Sequence, residues 1–266
     1  MQTASEDLTF GCKSCRIGRM NHSPILLALA MTTTIAASGL AAEFQTDSFK
    51  TKGGKDVVIT AIKHASLRIQ FDGLEIQVDP VGKDCKPATD YTAFPKADII
   101  LVTHEHFDHF DRDAIAALRK AGTKIYANKA VQGMLGSGTA LANGDNIAIA
   151  DGITLDAVPA YNTTPGHTRF HPKGRDNGYV LTLDGLRIYI AGDTEDIPEM
   201  AQLADVDIAF LPCNQPYTMT PEQAARAART IKPKVLFPYH YSETPVRRVA
   251  ELLADTSIDV RIRNYQ

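Results

Sequence analysis

The segment Thr103-His104-Glu105-His106-Phe107-Asp108-His109 places three imidazoles and the Asp108 carboxylate within six residues. Imidazole nitrogens and carboxylate oxygens are the donors that zinc and similar divalent cations accept. His104 and His106 lie two apart, so on extended chain they point to the same side. A turn at Phe107-Asp108 brings Asp108 and His109 to a neighbouring position. Ligands so close in sequence suit two adjacent metals better than one tetrahedral ion. The competing reading is a polar loop with solvated histidines.

The elements that must hold these groups are legible from periodicity. The run Ile99-Ile100-Leu101-Val102 reads as a buried strand leading into the cluster. Three pairs of strands flank Asp-Gly turns at Asp72-Gly73, Asp151-Gly152 and Asp184-Gly185, and read as hairpins. Asp111 is placed to cap a helix with Ile115, Ala116 and Leu118 on one face, ending at Gly122. Thr220-Pro221-Glu222-Gln223 forms a capping box with Pro at the first helical position. Lys234-Val235-Leu236-Phe237 reads as a strand stopped by Pro238, and residues 246–254 as a last helix. Hairpins in both halves with helices between them predict an α+β fold of two mixed sheets facing each other, helices outside.

Two further candidates stand at strand ends. Asp193 follows Ile188-Tyr189-Ile190-Ala191-Gly192, where the glycine allows close backbone approach, and His240 follows Phe237-Pro238-Tyr239. Alone, each reads as a turn cap or a solvated side chain. Beside the histidine cluster they read as a bridging carboxylate and an additional imidazole for a two-metal centre.

Together, His104-x-His106-x-Asp108-His109, Gly192-Asp193-Thr194 and Pro238-Tyr239-His240-Tyr241 resemble the ordered motifs of the metallo-β-lactamase-fold hydrolases. His64-Ala65-Ser66, Val78-Asp79-Pro80, Leu211-Pro212 and Tyr217-Thr218-Met219-Thr220-Pro221 resemble the branch that includes L-ascorbate-6-phosphate lactonase-like proteins. The resemblance implies an αββα sandwich. It also implies that His104 and His106 bind one metal, that Asp108, His109 and His240 bind the other, and that Asp193 bridges them. Where that family usually has another histidine, this chain has Asn162, whose amide oxygen is a weak zinc ligand. His167 and His171 are the nearby substitutes, His171 the better placed. Two other readings stand: His171 meets the substrate, or the site is degenerate or holds a single metal.

The expected function is therefore that of a metal-dependent hydrolase using two divalent ions, Zn2+ first, with Mn2+ and Fe2+ as alternatives. Hydroxide generated at the metal would cut an ester, lactone or phosphoester of a small molecule. Asp108 would orient the nucleophile, and His64 is a candidate outer-shell or proton-transfer group. Lys173 and Tyr217 are candidate contacts for an anionic substrate. A true β-lactamase and a nuclease of the same fold are the rival enzymes. The alternative outside enzymes is a secreted metal- or ligand-binding protein that has lost turnover. A formal charge of −3, with 31 acidic against 28 basic residues, argues against nucleic acid as a partner.

Residues 1–42 belong to another class of sequence. Lys13, Arg16 and Arg19 precede the apolar Ile25-Leu26-Leu27-Ala28-Leu29-Ala30-Met31, and small residues lead to Gly39-Leu40-Ala41-Ala42. This is the layout of a secretory signal cleaved after Ala41 or Ala42, with Met20 an alternative start. The apolar stretch is interrupted by Thr32-Thr33-Thr34 and is short for a membrane span. The expectation is a single domain over residues 43–266, periplasmic or secreted, with no lasting membrane association. Cys12 and Cys15 fall inside the signal, leaving Cys85 and Cys213 as a pair that an oxidising compartment would permit.

Overall fold

The computed structural model describes residues 44–83, 85–86 and 88–265. The segment read as a secretory signal lies outside the described residues. Among them, no helix is long and apolar enough to cross a membrane.

Two seven-stranded sheets each use a continuous half of the chain. In the first sheet, β1 (Thr46–Lys50), β2 (Asp56–Lys63), β3 (Ser66–Phe71) and β4 (Leu74–Val78) form an antiparallel meander. Parallel strands β5 (Ile99–Val102), β6 (Lys124–Ala127) and β7 (Thr139–Ala140) extend it. The second sheet repeats the plan. Its antiparallel part is β8 (Asn146–Ala150), β9 (Ile153–Ala160), β10 (Asp176–Leu183) and β11 (Leu186–Ile190). Its parallel part is β12 (Ile208–Pro212), β13 (Val235–Tyr239) and β14 (Asp259–Val260). Parallel strands need covered faces, which is why β5, β12 and β13 are buried along their whole length.

The inner faces meet in one core, with Ile59, Leu67, Ile69 and Leu101 of the first sheet and Leu155, Leu181, Ile188 and Phe237 of the second. A second cluster packs α3 (Pro221–Ile231) and α4 (Arg247–Leu252) on the outside of one sheet. A third packs α1 (Arg112–Leu118) and the region of α2 (Lys129–Leu135) on the other. The four layers are those of the αββα sandwich.

Three local expectations are corrected. Helix α1 buries Ala114, Ile115 and Leu118 but leaves Ala116 exposed, because at about 100° per residue Ala116 falls beyond the edge of the face centred on Ala114, Ile115 and Leu118. It stops at Leu118, and Gly122 sits in the following turn with φ +88°. Strand β13 runs through Pro238 to Tyr239. Strand β14 pairs only with Val235 and Leu236, so at Pro238 the ladder has a single neighbour, Leu211, and the missing N–H costs little. Cys85 and Cys213 carry free thiols.

Candidate metal centre

The functional side chains gather at the C-terminal ends of the central strands. Asp79 follows β4 and anchors the start of the histidine loop. Its Oδ1 accepts from the Thr103 backbone N–H at 2.8 Å and its Oδ2 from the Thr103 hydroxyl at 2.7 Å. That hydroxyl has spent its proton, so at 3.0 Å it accepts from His104 Nδ1, and His104 Nε2 keeps its lone pair. His109 Nδ1 donates to Asp79 Oδ2 at 2.9 Å, and His171 Nδ1 to Asp176 Oδ2 at 3.0 Å. All three rings thus carry their proton on the nitrogen that faces the scaffold. Backbone bonds from His109 and Phe110 to the His106 carbonyl, both 2.9 Å, make the turn that swings Asp108 and His109 round.

From the second sheet, Asp193 reaches in after Gly192. That glycine has φ +64°, and a Cβ there would lie 2.9 Å from the Asn177 carbonyl and 3.1 Å from Thr103 Cβ. Only glycine lets the two sheets come so close. Asp193 Oδ2 lies 3.3 Å from His171 Nε2, 3.3 Å from His240 Nε2 and 3.9 Å from His104 Nε2, and Oδ1 lies 3.2 Å from His109 Nε2. One carboxylate therefore faces two sets of rings. On one side stand His104, His106 and His171; on the other stand His64, Asp108, His109 and His240.

His64 and His240 share a strained device. Both hold left-handed backbone, φ +49° and +48°. The His240 N–H donates to the His64 carbonyl at 3.0 Å, the His64 N–H donates to the Tyr265 carbonyl at 2.6 Å, and the two rings lie 3.7 Å apart. His64 Nε2 meets Asp108 Oδ2 at 3.0 Å.

Burial and charge oppose each other throughout. Burial and the neighbouring His240 push the His64 pKa down to about 4 despite Asp108. Burial also works against charge on His240, but Asp193 and Asp108 outweigh it and raise that ring to about 9. His109 and His171 are raised against burial by the carboxylates they face, whereas burial and His109 lower His104. Burial disfavours ionisation of Asp108 and Asp193, yet the surrounding imidazoles hold both below the usual carboxylate range.

The donor set fits divalent cations. The Nε2 atoms of His104, His109, His171 and His240 and Oδ1 of Asp193 are buried with no hydrogen-bond partner. An orphaned buried polar atom costs about 1–3 kcal/mol, and a cation shared among these atoms would satisfy all five at once. The carboxylates already draw positive charge onto His109, His171 and His240, and a metal ion meets the same demand while displacing the protons.

Of the predicted residues, His104, His106, Asp108, His109, His171, Asp193, His240 and His64 all come together. Asn162, at the end of β9, does not face the task of a ring. Its Nδ2 donates to the Tyr217 carbonyl at 2.7 Å, and its backbone N–H holds the His171 carbonyl at 2.9 Å. That bond folds the loop back so that His171 stands beside His104 and His106. His167 faces Glu195 at 3.4 Å instead. Lys173 is engaged by Glu199 at 2.6 Å and Tyr161 at 3.2 Å, on a largely exposed side chain. Tyr217 is 45% exposed and packs edge-on against Phe170, next in chain to His171. Sequence reasoning passed over the orienting roles of Asp79, Asp176 and Thr103. The available signal was a carboxylate at the end of the strand beside the histidine loop.

The family model of the beta-lactamase superfamily domain matches residues 58–240, from β2 to the last histidine of the cluster. The chain belongs to this superfamily. Among its members, a UPF0173 metal-dependent hydrolase of Thermococcus kodakarensis is 32% identical over 71% of this chain and 86% of its own length. A crystal structure from Parabacteroides distasonis, assigned as a metal-dependent hydrolase, shares 59% identity with a TM-score of 0.81, over 84% of this chain and all of that one. Igni18, a metallo hydrolase of Ignicoccus hospitalis, is similar at 26% identity and a TM-score of 0.66, over 78% of this chain and 95% of its own.

Proposed function

We propose that this superfamily member is a metal-dependent hydrolase with a two-metal site, cutting an ester, lactone or phosphoester bond of a small molecule. The observation that carries the proposal is the convergence of partnerless ring nitrogens on both sides of Asp193. His104, His106 and His171 would hold one ion, and Asp108, His109 and His240 the other, with Asp193 between them. Zn2+ suits this mixture of imidazole and carboxylate, with Mn2+ or Fe2+ as alternatives. When bound, such ions lower the pKa of water to about 7 and polarise a carbonyl or phosphoryl oxygen.

The chain's own residues supply orientation. Asp79, Asp176 and Thr103 keep the ring nitrogens aimed inward. Asp108 is ionised and accepts from His64 Nε2, and His64, its pKa pushed down to about 4, stays neutral at pH 7 and holds that carboxylate in place. The lactone alternative is supported by His64-Ala65-Ser66 and Val78-Asp79-Pro80, whose His64 and Asp79 serve the site directly. Within the same proposal, residues 1–42 are a secretory signal and the enzyme works in the periplasm or outside the cell. The support is their basic, apolar and small-residue layout.

The test is a panel of chromogenic aryl esters, lactones and phosphoesters assayed with metal-loaded protein, chelated protein and Asp193→Ala. Turnover of one class, lost on chelation and in the variant, is the expected result. Full metal occupancy with no turnover of any class would contradict it and favour a metal- or ligand-binding protein, the reading that Asn162 first raised.

A further inference from the structure

The loop that brings His171 into place ends on Arg175, whose side chain grips the scaffold with only part of its guanidinium. Its Nε and Nη2 hold both oxygens of Asp176, at 2.7 and 2.8 Å. Nη2 also donates to the Phe170 carbonyl at 2.7 Å, and Nε lies 3.3 Å from Glu105 Oε1. These contacts use the single proton of Nε and both protons of Nη2. Among the described residues, no hydrogen bond is made by Nη1, which keeps two N–H groups to offer.

The position of the guanidinium matters. Nη2 lies 3.5 Å from His106 Nε2, the ring nitrogen grouped with His104 and His171. The guanidinium therefore borders the cluster directly, and its side chain is 31% exposed. A plain structural role explains the grip on Asp176, which orients His171. It leaves the Nη1 edge unused. Asp176 and Glu105 balance the charge on the Nε and Nη2 side, so an anion arriving from outside would meet the guanidinium at Nη1. A guanidinium pinned on one side and free on the other is suited to that anion, because its fork matches phosphate and carboxylate oxygens and needs no rearrangement.

We propose that Arg175 is a specificity-determining residue: its Nη1 edge takes an oxyanion, a phosphoryl or carboxylate oxygen, carried by the substrate beside the bond that is cut. The inference rests on the hydrolase reading and narrows it to anionic substrates.

The test is calorimetric titration of inorganic phosphate, and separately of acetate, into the zinc-loaded full chain as wild type, Arg175→Lys and Arg175→Ala. Metal content is determined on the same samples. The expected result is unchanged metal content in Arg175→Ala with at least tenfold weaker binding of phosphate, acetate or both. Arg175→Lys should fall between, since an ammonium keeps the charge but loses the fork. Whichever anion shows the larger loss identifies the oxyanion. Equal affinities across the three proteins, or no anion binding by the wild type, would overturn the assignment. Loss of metal from Arg175→Ala would also overturn it, making Arg175 a positioning residue that acts on His171 through Asp176. Absence of metal from the wild type would instead sink the hydrolase reading, and is read independently of the anion affinities.

Discussion

At the scale of single residues, the centre is built by carboxylates that never need to touch a metal. Asp79 takes three hydrogen bonds, from the Thr103 backbone, the Thr103 hydroxyl and His109 Nδ1, and so fixes two rings at once. Replacing an outer carboxylate of this kind typically weakens metal affinity 10- to 100-fold. Asp79→Asn is therefore expected to lose affinity within that range, measured by competition with a chromophoric chelator, because its amide N–H groups would face donors. An unchanged affinity would mean that the ring orientations are set elsewhere. Asp108, His109, His104 and His106 were legible in the sequence because one short turn carries them all. His171 was not decided there, since its position depends on a backbone bond to Asn162 across the eight residues 163–170, which no local pattern encodes.

Among the elements, the tightest constraint is the crossing of Gly192 over Thr103. Gly192→Ala must hold left-handed backbone and push its Cβ into the Asn177 carbonyl. The backbone strain alone costs about 1–3 kcal/mol, so the denaturation midpoint should fall, and displacement of Asp193 should lower metal content as well. A variant as stable as wild type with full metal content would contradict this reading. Helix α3 gives the contrasting case. Thr220 accepts from the Gln223 N–H at 3.1 Å in the capping box, so Thr220→Ala should cost about 1 kcal/mol with metal content intact. The three Asp-Gly hairpins and this capping box were readable because turn and cap chemistry is local. Strand β1 was not, since its residues alternate exposed and half-buried and it exists through its pairing with β2. Strand β12 is a short apolar run whose identity comes from the parallel neighbours β11 and β13.

Across the whole molecule, each half of the chain makes a meander followed by parallel strands, and the candidate centre lies where the strand ends of the two halves meet. His104, His106, Asp108 and His109 come from the first sheet, His171, Asp193 and His240 from the second. Ions held between them bind the folded chain and not the unfolded one, stabilising it by about 4 kcal/mol at a thousandfold excess over Kd. At roughly 2–4 °C per kcal/mol for a domain of this size, chelation should lower Tm by about 10 °C, and added zinc should restore it. No change on chelation would mean that the cluster holds its geometry without a cation. The most direct test is metal stoichiometry by elemental analysis, on protein purified without chelator, for wild type and His171→Ala. The expected result is two ions per chain in the wild type and one in the variant. One ion in both would contradict it, removing His171 from the ligand set and the second metal from the mechanism.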